Sequence, residues 1–462
     1  MGRELPSPAT RDVPEPVPFR RMLGPSIILL GLSLGSGEYI LWPYLTVRYG
    51  FIVFWGALLG IGTQFFINME IARYTLATGE GITTGFARLS RHFAWIFILC
   101  IIGADMWPGW ATGAGLSLSF LAGGNPTVYA IGGLLAVGLI LSLGPVVYRT
   151  METVELMLVG ITLVTLVFAS LWIVKADSFV SLGEGLVHSG LPEGIDLAFF
   201  LGALAFAGAG GPTNLAQSNY VKDKGYAMGS YVGRLVSPLT GREEPTAAVG
   251  FRFPETAENL RRWRSWWRGA NLEHLIVFLL TGAGSMVLLS LIAHSTLQDP
   301  SVPQDMGFIA LMTNRFALDV GGWFRVLYLL MGVAILFSTE IGIVDILGRL
   351  VAEIVKVNYL RRRARPTESE LYLIIIWIVI VAGVVILMSG FEEPLALLVV
   401  AAALGGLIMF LYSGLLIWVN FRLLSRSIRM SRLRLALLVW AFGFYGYFSL
   451  RLLADMPRQL WS

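Results

Sequence analysis

Cysteine is almost missing from this chain. Its single copy, Cys100, excludes an internal disulfide and any cysteine-ligated metal cluster. Histidine is nearly as scarce. His92, His188, His274 and His294 are too scattered along the sequence for a histidine zinc site. Charge is also low, at 14% of 462 residues, where soluble domains carry about 25%. The sequence has no His-Glu-x-x-His, no nucleophile elbow and no Gly-Lys-Ser phosphate cradle, so nothing in it supports an enzyme or asks for a cofactor.

What fills the chain instead is apolar. Hydrophobic residues make up 56%, and the mean hydropathy is +0.71. A membrane helix needs about 20 apolar residues. Eleven such spans are expected, with cores near 23–46, 51–74, 93–121, 127–147, 153–174, 195–217, 273–294, 323–350, 370–389, 394–420 and 433–453. The fold class is therefore an all-α polytopic membrane protein. Residues 1–22, rich in proline, read as a disordered cytoplasmic tail. The stretch 222–270 reads as a cytoplasmic loop. Its Trp- and Arg-rich end, Glu258 to Arg268, suits either a short helix on the membrane surface or a connector packed on the bundle. A short helix, Met306 to Phe316, is expected in the outer segment between spans seven and eight.

Orientation follows from Lys and Arg. With the N-terminus cytoplasmic and the C-terminus outside, only Arg48, Lys175, Arg315, Arg325, Arg451 and Arg458 of the 34 basic residues face outward, which leaves 28 inside. Basic clusters such as Arg361-Arg362-Arg363 then anchor the inner ends against anionic lipid, and no nucleic-acid partner is needed. The lack of a signal peptide suits a bacterial inner membrane. A monomer is compatible with this sequence, which fixes no oligomeric state.

Two spans carry glycine runs near mid-membrane. Span one reads Gly35-Ser36-Gly37-Glu38, and span six reads Gly208-Ala209-Gly210-Gly211-Pro212-Thr213-Asn214. Glycine tolerates unwound backbone, and proline blocks helix continuation. Breaks five spans apart are what two inverted five-helix repeats produce, with a substrate held between them. The repeats would cover about 23–174 and 195–420, a ten-helix core of 23–420, with 433–453 as an added span. Carboxylates at membrane depth sharpen this reading, because each is costly unless it faces a cavity or a partner. They are Glu38 after the first break, Asp105 in span three, and Glu340 and Asp345 in span eight. Asp345 is expected to pair with Arg349 near the interface.

At these residues the sequence resembles the Nramp divalent-metal transporters, which have the LeuT-type inverted-repeat fold. Gly24-Pro25-Ser26 looks like that family's opening of span one. Its Asp-Pro-Gly-Asn motif falls on Gly35-Ser36-Gly37-Glu38, its Met-Pro-His-Asn run on Gly211-Pro212-Thr213-Asn214, and its Thr-Asp run on Ala104-Asp105. The resemblance covers roughly residues 20–455 and implies a secondary transporter with broken spans one and six. The ligands depart from the family's pattern. The ligating Asp is Gly35, the Asn is Glu38, the Met is Gly211 and the carbonyl-bearing Ala is Gly208. The histidines fall on Thr213 and Ser218, and the proton-linked Glu of span three on Pro108.

Without the thioether, selection of soft transition metals loses its basis. The favoured cargo is a divalent cation that keeps part of its water, as magnesium does. Glu38 and Asp105 would be its carboxylate ligands, with Gly35, Ser36, Gly37, Gly208, Gly211, Thr213 and Asn214 lining the site. Glu38, Asp105 and Glu340 are the candidates for ion or proton relay. The alternatives are a small organic solute such as an amino acid or carboxylate, and a non-transporting sensor of the same fold.

Overall fold

The computed structural model describes residues 5–241, 249–298, 301–302, 305–391 and 393–460, with the side chains of Ser36, Leu197, Ala198 and 452–460 outside that set. The expectations for Arg3, for the Ser36 and Arg458 side chains and for 242–248 of the long loop fall outside the described residues. Among the described residues, nine helices are long and apolar enough to cross a membrane: Pro25–Val53, His92–Ala122, Pro126–Leu143, Val147–Ile173, Ala257–Thr296, Gly322–Asn358, Glu368–Met388, Pro394–Leu423 and Arg432–Arg451. The 24-residue helix Trp55–Thr78 and the paired half-helices Leu197–Ala205 and Pro212–Lys224 complete eleven spans. The short helix between spans seven and eight is Gly307–Asp319.

Local chemistry explains several helix limits. Span nine starts in a full capping box, Thr367 with Glu370. Span four starts on Asn125, whose side chain accepts from the Thr127 and Val128 amides, with Pro126 at the first helical position. Span two ends on Gly79 in the left-handed conformation (φ +73°). Span eight has 37 residues, or about 55 Å at 1.5 Å per residue, well beyond a hydrocarbon core of about 30 Å. It therefore extends beyond the apolar layer, and it packs on spans one, three, five, six and nine.

One segment differs from expectation. The tail is an ordered strap. Ala9–Thr10 pair in parallel with Phe251–Arg252. The Val13 amide donates to Asn259 Oδ1 at 3.0 Å, Asn259 Nδ2 donates to Asp12 at 2.8 Å, and Trp266 Nε1 donates to the Pro14 carbonyl at 3.0 Å. Val13 itself is fully buried. Proline restricts the free chain, so ordering this segment costs less entropy than its polarity suggests. The Trp- and Arg-rich segment is a helix, Ala257–His274, that runs on into span seven through a π-helical turn, Leu275–Thr281. Its Trp263 and Trp266 are buried against the bundle, while Arg261, Arg264 and Arg268 stay exposed. Asn259→Ala removes two of the strap's hydrogen bonds, a loss of about 1–2 kcal/mol. Limited proteolysis should then cut the tail faster than in the wild type, and an unchanged cleavage rate would count against the strap.

Candidate functional site

Span six is broken. Its first half stops at Ala205 and its second starts at Pro212. Gly208 (φ +103°) and Gly211 (φ +70°) take backbone angles that other residues rarely adopt. The Phe206 amide still reaches the Gly202 carbonyl at 2.9 Å, and the Ala205 carbonyl is taken by Gln64 Nε2 of span two at 2.8 Å. Gln64→Leu leaves that carbonyl buried without this donor, a loss of about 1–3 kcal/mol. Thermal unfolding of the purified variant checks it. A midpoint equal to wild type would mean that another donor replaces Gln64.

The second half-helix places Thr213 and Asn214 in the protein interior. Asn214 Nδ2 donates to Asn68 Oδ1 at 2.6 Å, and its Oδ1 accepts from the Tyr412 hydroxyl at 2.5 Å. Gly211 passes the span-ten backbone so closely that a Cβ would lie 3.1 Å from Gly405 Cα.

Span one is not unwound. It passes from α-helix, Pro25–Ser33, through a π-helical stretch, Leu34–Leu41, and back to α-helix, Trp42–Tyr49. The Trp42 amide bonds to the Gly37 carbonyl five residues back. The π turn widens the helix while keeping its bonds, a form common at functional sites. Its glycines bring neighbours close. A Cβ on Gly37 would sit 2.1 Å from the Phe206 carbonyl oxygen in the broken span, and one on Gly35 would sit 2.1 Å from Thr339 Oγ1 in span eight. Glu38 turns toward span seven. It is fully buried, and it accepts from Ser33 Oγ at 2.7 Å and from Ser285 Oγ at 2.5 Å.

Span three is also interrupted. Its helices are His92–Asp105 and Gly109–Ala122, with Met106, Trp107 and Pro108 between them. Asp105 closes the first helix, buried, with no hydrogen-bond partner for Oδ2 among the described residues. Glu340 Oε2 accepts from the Ala111 amide at 3.0 Å, so this carboxylate caps the second helix. Trp110 lies with its ring centroid 5.8 Å from that of Phe206, which links this break to the one in span six. The run Pro108-Gly109 is the sequence signal for the third break.

Span eight joins these pieces through three consecutive residues. Ser338 donates to Glu155 of span five at 2.5 Å. Thr339 donates to the Gly31 carbonyl of span one at 3.2 Å, and Glu340 accepts from span three. Near the tail, Arg349 pairs with Asp345 at 3.2 Å and with Asp223 of span six. The Tyr220 and Tyr372 hydroxyls donate to Asp345 at 3.0 and 2.8 Å. The Arg349–Asp345 pairing is as expected, and both side chains are fully buried. Lys222 lies 3.5 Å from Glu353, Asn219 bonds to Glu353, and Lys224 reaches Glu152 at 2.5 Å. Glu152, Glu155, Asp223 and Glu353 sit at span ends or in mixed polar runs, where sequence alone gives no reason to single them out.

The structure thus gathers Gly37 with the span-six break, and Asp105 and Glu340 with the span-three break. Among the described residues, Glu38 and Asp105 share no hydrogen-bond partner. Among the described residues, no three His, Cys, Asp or Glu side chains converge as a metal-ligand set. Phe206 lies between the Gly37 backbone of span one and the Trp110 ring of span three.

No protein-family model matches the chain, and no curated protein matches it. Solved structures do. Two structures of point variants of the Eremococcus coleocola manganese transporter superpose with TM-scores of 0.69 and 0.66 at 15% identity, over 96% of this chain and 89% of theirs. The same transporter bound to an aromatic bis-isothiourea substituted compound gives a TM-score of 0.63 at 16% identity, over 98% of this chain and 90% of its own. The likeness shows the fold, the LeuT type expected from the paired interruptions in spans one and six.

Proposed function

We propose that this chain is a secondary transporter that moves a small solute by alternating access, with spans one and six as the moving centre. Its favoured cargo is a partly hydrated divalent cation. The observation that carries this reading is Asp105, a buried carboxylate with an unpartnered oxygen, beside a helix break and Glu340. A buried carboxylate is retained where it meets a cation or a proton.

Glu38 serves as the second carboxylate. Its two serine partners hold it in the closed state and release it when an ion and its retained waters arrive. Gly208 and Gly211 expose backbone at the span-six break, and Thr213 and Asn214 supply neutral oxygen. Gly35, Ser36 and Gly37 form the opposing wall, and Glu340 relays charge between spans three and eight. The tail side is cytoplasmic, as the split of basic residues supports, and the membrane we assign is a bacterial inner one.

A second reading, a small organic solute, draws on Phe206 and Trp110, aromatic surfaces at the same break. Magnesium and manganese flux into proteoliposomes separates the two. Saturable uptake should fall at least about tenfold in Glu38→Ala, the loss of one charged ligand. Unchanged flux in both Glu38→Ala and Asp105→Asn would sink the carboxylate roles. No flux of either metal would leave the organic solute as the cargo.

A further inference from the structure

We propose that His274, at the tail-side end of span seven, is a proton-binding site separate from Glu38 and Asp105, and that a proton taken up there unfastens the start of span one. His274 is fully buried. Its ring is stacked between two phenyl rings. Phe65 of span two lies at 5.5 Å between centroids with planes at 16°, and Phe278 of its own helix at 4.5 Å and 4°. Nδ1 is 2.8 Å from Ser26 Oγ in span one, while Nε2 is buried with no partner among the described residues. The preceding residue, Glu273, completes the tie. Its Oε1 accepts from the Ser26 amide at 3.1 Å and the Gly24 amide at 3.3 Å, and its Oε2 accepts from Ser26 Oγ. Two consecutive residues of span seven therefore hold the first turn of span one.

These bonds set the state of the ring. Ser26 has one hydroxyl hydrogen, and Glu273 takes it. Nδ1 then donates to Ser26 Oγ, which leaves Nε2 as the bare acceptor of a neutral imidazole. An added proton goes to Nε2. The imidazolium has two N–H donors, and the second meets no acceptor in the cage. The phenyl faces attract a cation but give its N–H no partner. The charged groups around the tie are already engaged. Glu273 has both oxygens on span one, Glu152 and Lys224 pair beside Gly24, and Glu70 of span two is held by Arg73 and Arg434. Glu38, further along span one, is held by Ser33 and Ser285. Tyr148 beside Gly24 and Tyr226 on Trp266 do not ionise in the range where histidine titrates.

A buried cation with an unpaired N–H is far less stable than the same cation in water. The proton therefore favours a conformation in which His274 leaves the cage, and that breaks its bond to Ser26. The tie is complete above the ordinary histidine value of about 6.5 and is lost as pH falls below it. If span one moves as proposed above, a proton from the tail side helps to open that side. The binding itself does not depend on the transport reading.

The test reads the burial of Met22, which sits where the chain enters span one, its Sδ 2.5 Å from a Cβ placed on Gly269 of the span-seven helix. Met22→Cys in a Cys100→Ser background gives the full-length chain a single thiol. Its maleimide labelling is followed from neutral to acid pH, each rate divided by that of the unfolded chain at the same pH. With His274 present, the normalised rate should rise by up to about tenfold per pH unit below about 6.5. With His274→Asn it should stay flat, since asparagine keeps a donor for Ser26 and takes no proton. If His274→Asn does not fold, Ser26→Ala carries the comparison: it removes the tie, so labelling should be fast and nearly flat with pH. A flat profile with His274 present would overturn the site, as would an equal rise in His274→Asn or an unchanged pH response in Ser26→Ala. A His274-dependent rise in a protein that carries no solute would leave this site standing and remove the transport reading. Intact solute flux with flat labelling would do the reverse.

Discussion

Arg349→Met should be the most destabilising single substitution in the charged network, lowering stability by about 3–5 kcal/mol. Arg349, Asp345 and Asp223 expose 1%, 0% and 1% of their side chains, so water cannot take over when one partner is removed. Methionine keeps most of the volume and deletes the charge. Two carboxylates are then left buried close together, with only tyrosine hydroxyls on Asp345. The loss therefore comes from stranded charge and not from packing. That cause makes a further demand. Adding Asp223→Asn and Asp345→Asn to Arg349→Met should restore part of the loss, since neutral amides need no counter-charge. Thermal unfolding in detergent reads both steps. A triple variant less stable than Arg349→Met alone would mean that the network acts through shape.

The same network has a place in the proposed cycle. Asp223, Lys222 and Lys224 lie on the second half of span six, and their partners lie on spans five, eight and nine. Any movement that opens the tail side must part span six from those spans. These pairs then hold that side shut until binding energy at the centre offsets their loss.

The break in span six was legible because its glycines and Pro212 remove both steric restraint and a hydrogen-bond donor. Span one carries a similar glycine run without an internal proline. Every amide there can still donate, so the stretch widens into a π turn without unwinding. The span-three break lay in plain sight at Pro108-Gly109. The apolar run continues through it, and a hydropathy reading joins the two halves. The partners were beyond reach of the sequence. Ser285 lies 247 residues from Glu38, Asn68 146 from Asn214, and Gln64 141 from Ala205. Helical periodicity reports which face is apolar, but not which distant hydroxyl meets a given carboxylate. The tail misled for a related reason. Its composition is that of a free segment, and what orders it is Asn259 and Trp266, on a helix nearly 250 residues away.

Gly37→Ala should abolish solute flux while the protein still folds. The added Cβ would stand 2.1 Å from the Phe206 carbonyl oxygen and 2.7 Å from its carbon. Both atoms are backbone, at the point where span six is already committed to its break, so no side chain can rotate away. Spans one and six must separate by about an ångström to accept the methyl group, a strain of about 1–3 kcal/mol that a bundle of this size survives. The site does not, because a shift of about 1 Å at a binding centre lowers rates about 100-fold. Gly35→Ala should be milder. Its nearest obstacles are the Thr339 hydroxyl at 2.1 Å, which can rotate, and Thr339 Cβ at 2.8 Å, which moves only with its backbone, and the Ile335 carbonyl at 3.0 Å limits the room further. Gly284→Ala, with nothing within 4 Å, should leave flux at the wild-type rate. Flux measured in all three variants at matched protein levels tests the order Gly37, Gly35, Gly284. Full activity in Gly37→Ala would mean that spans one and six do not keep this contact through the cycle, and the centre of movement would have to be sought at the span-three break.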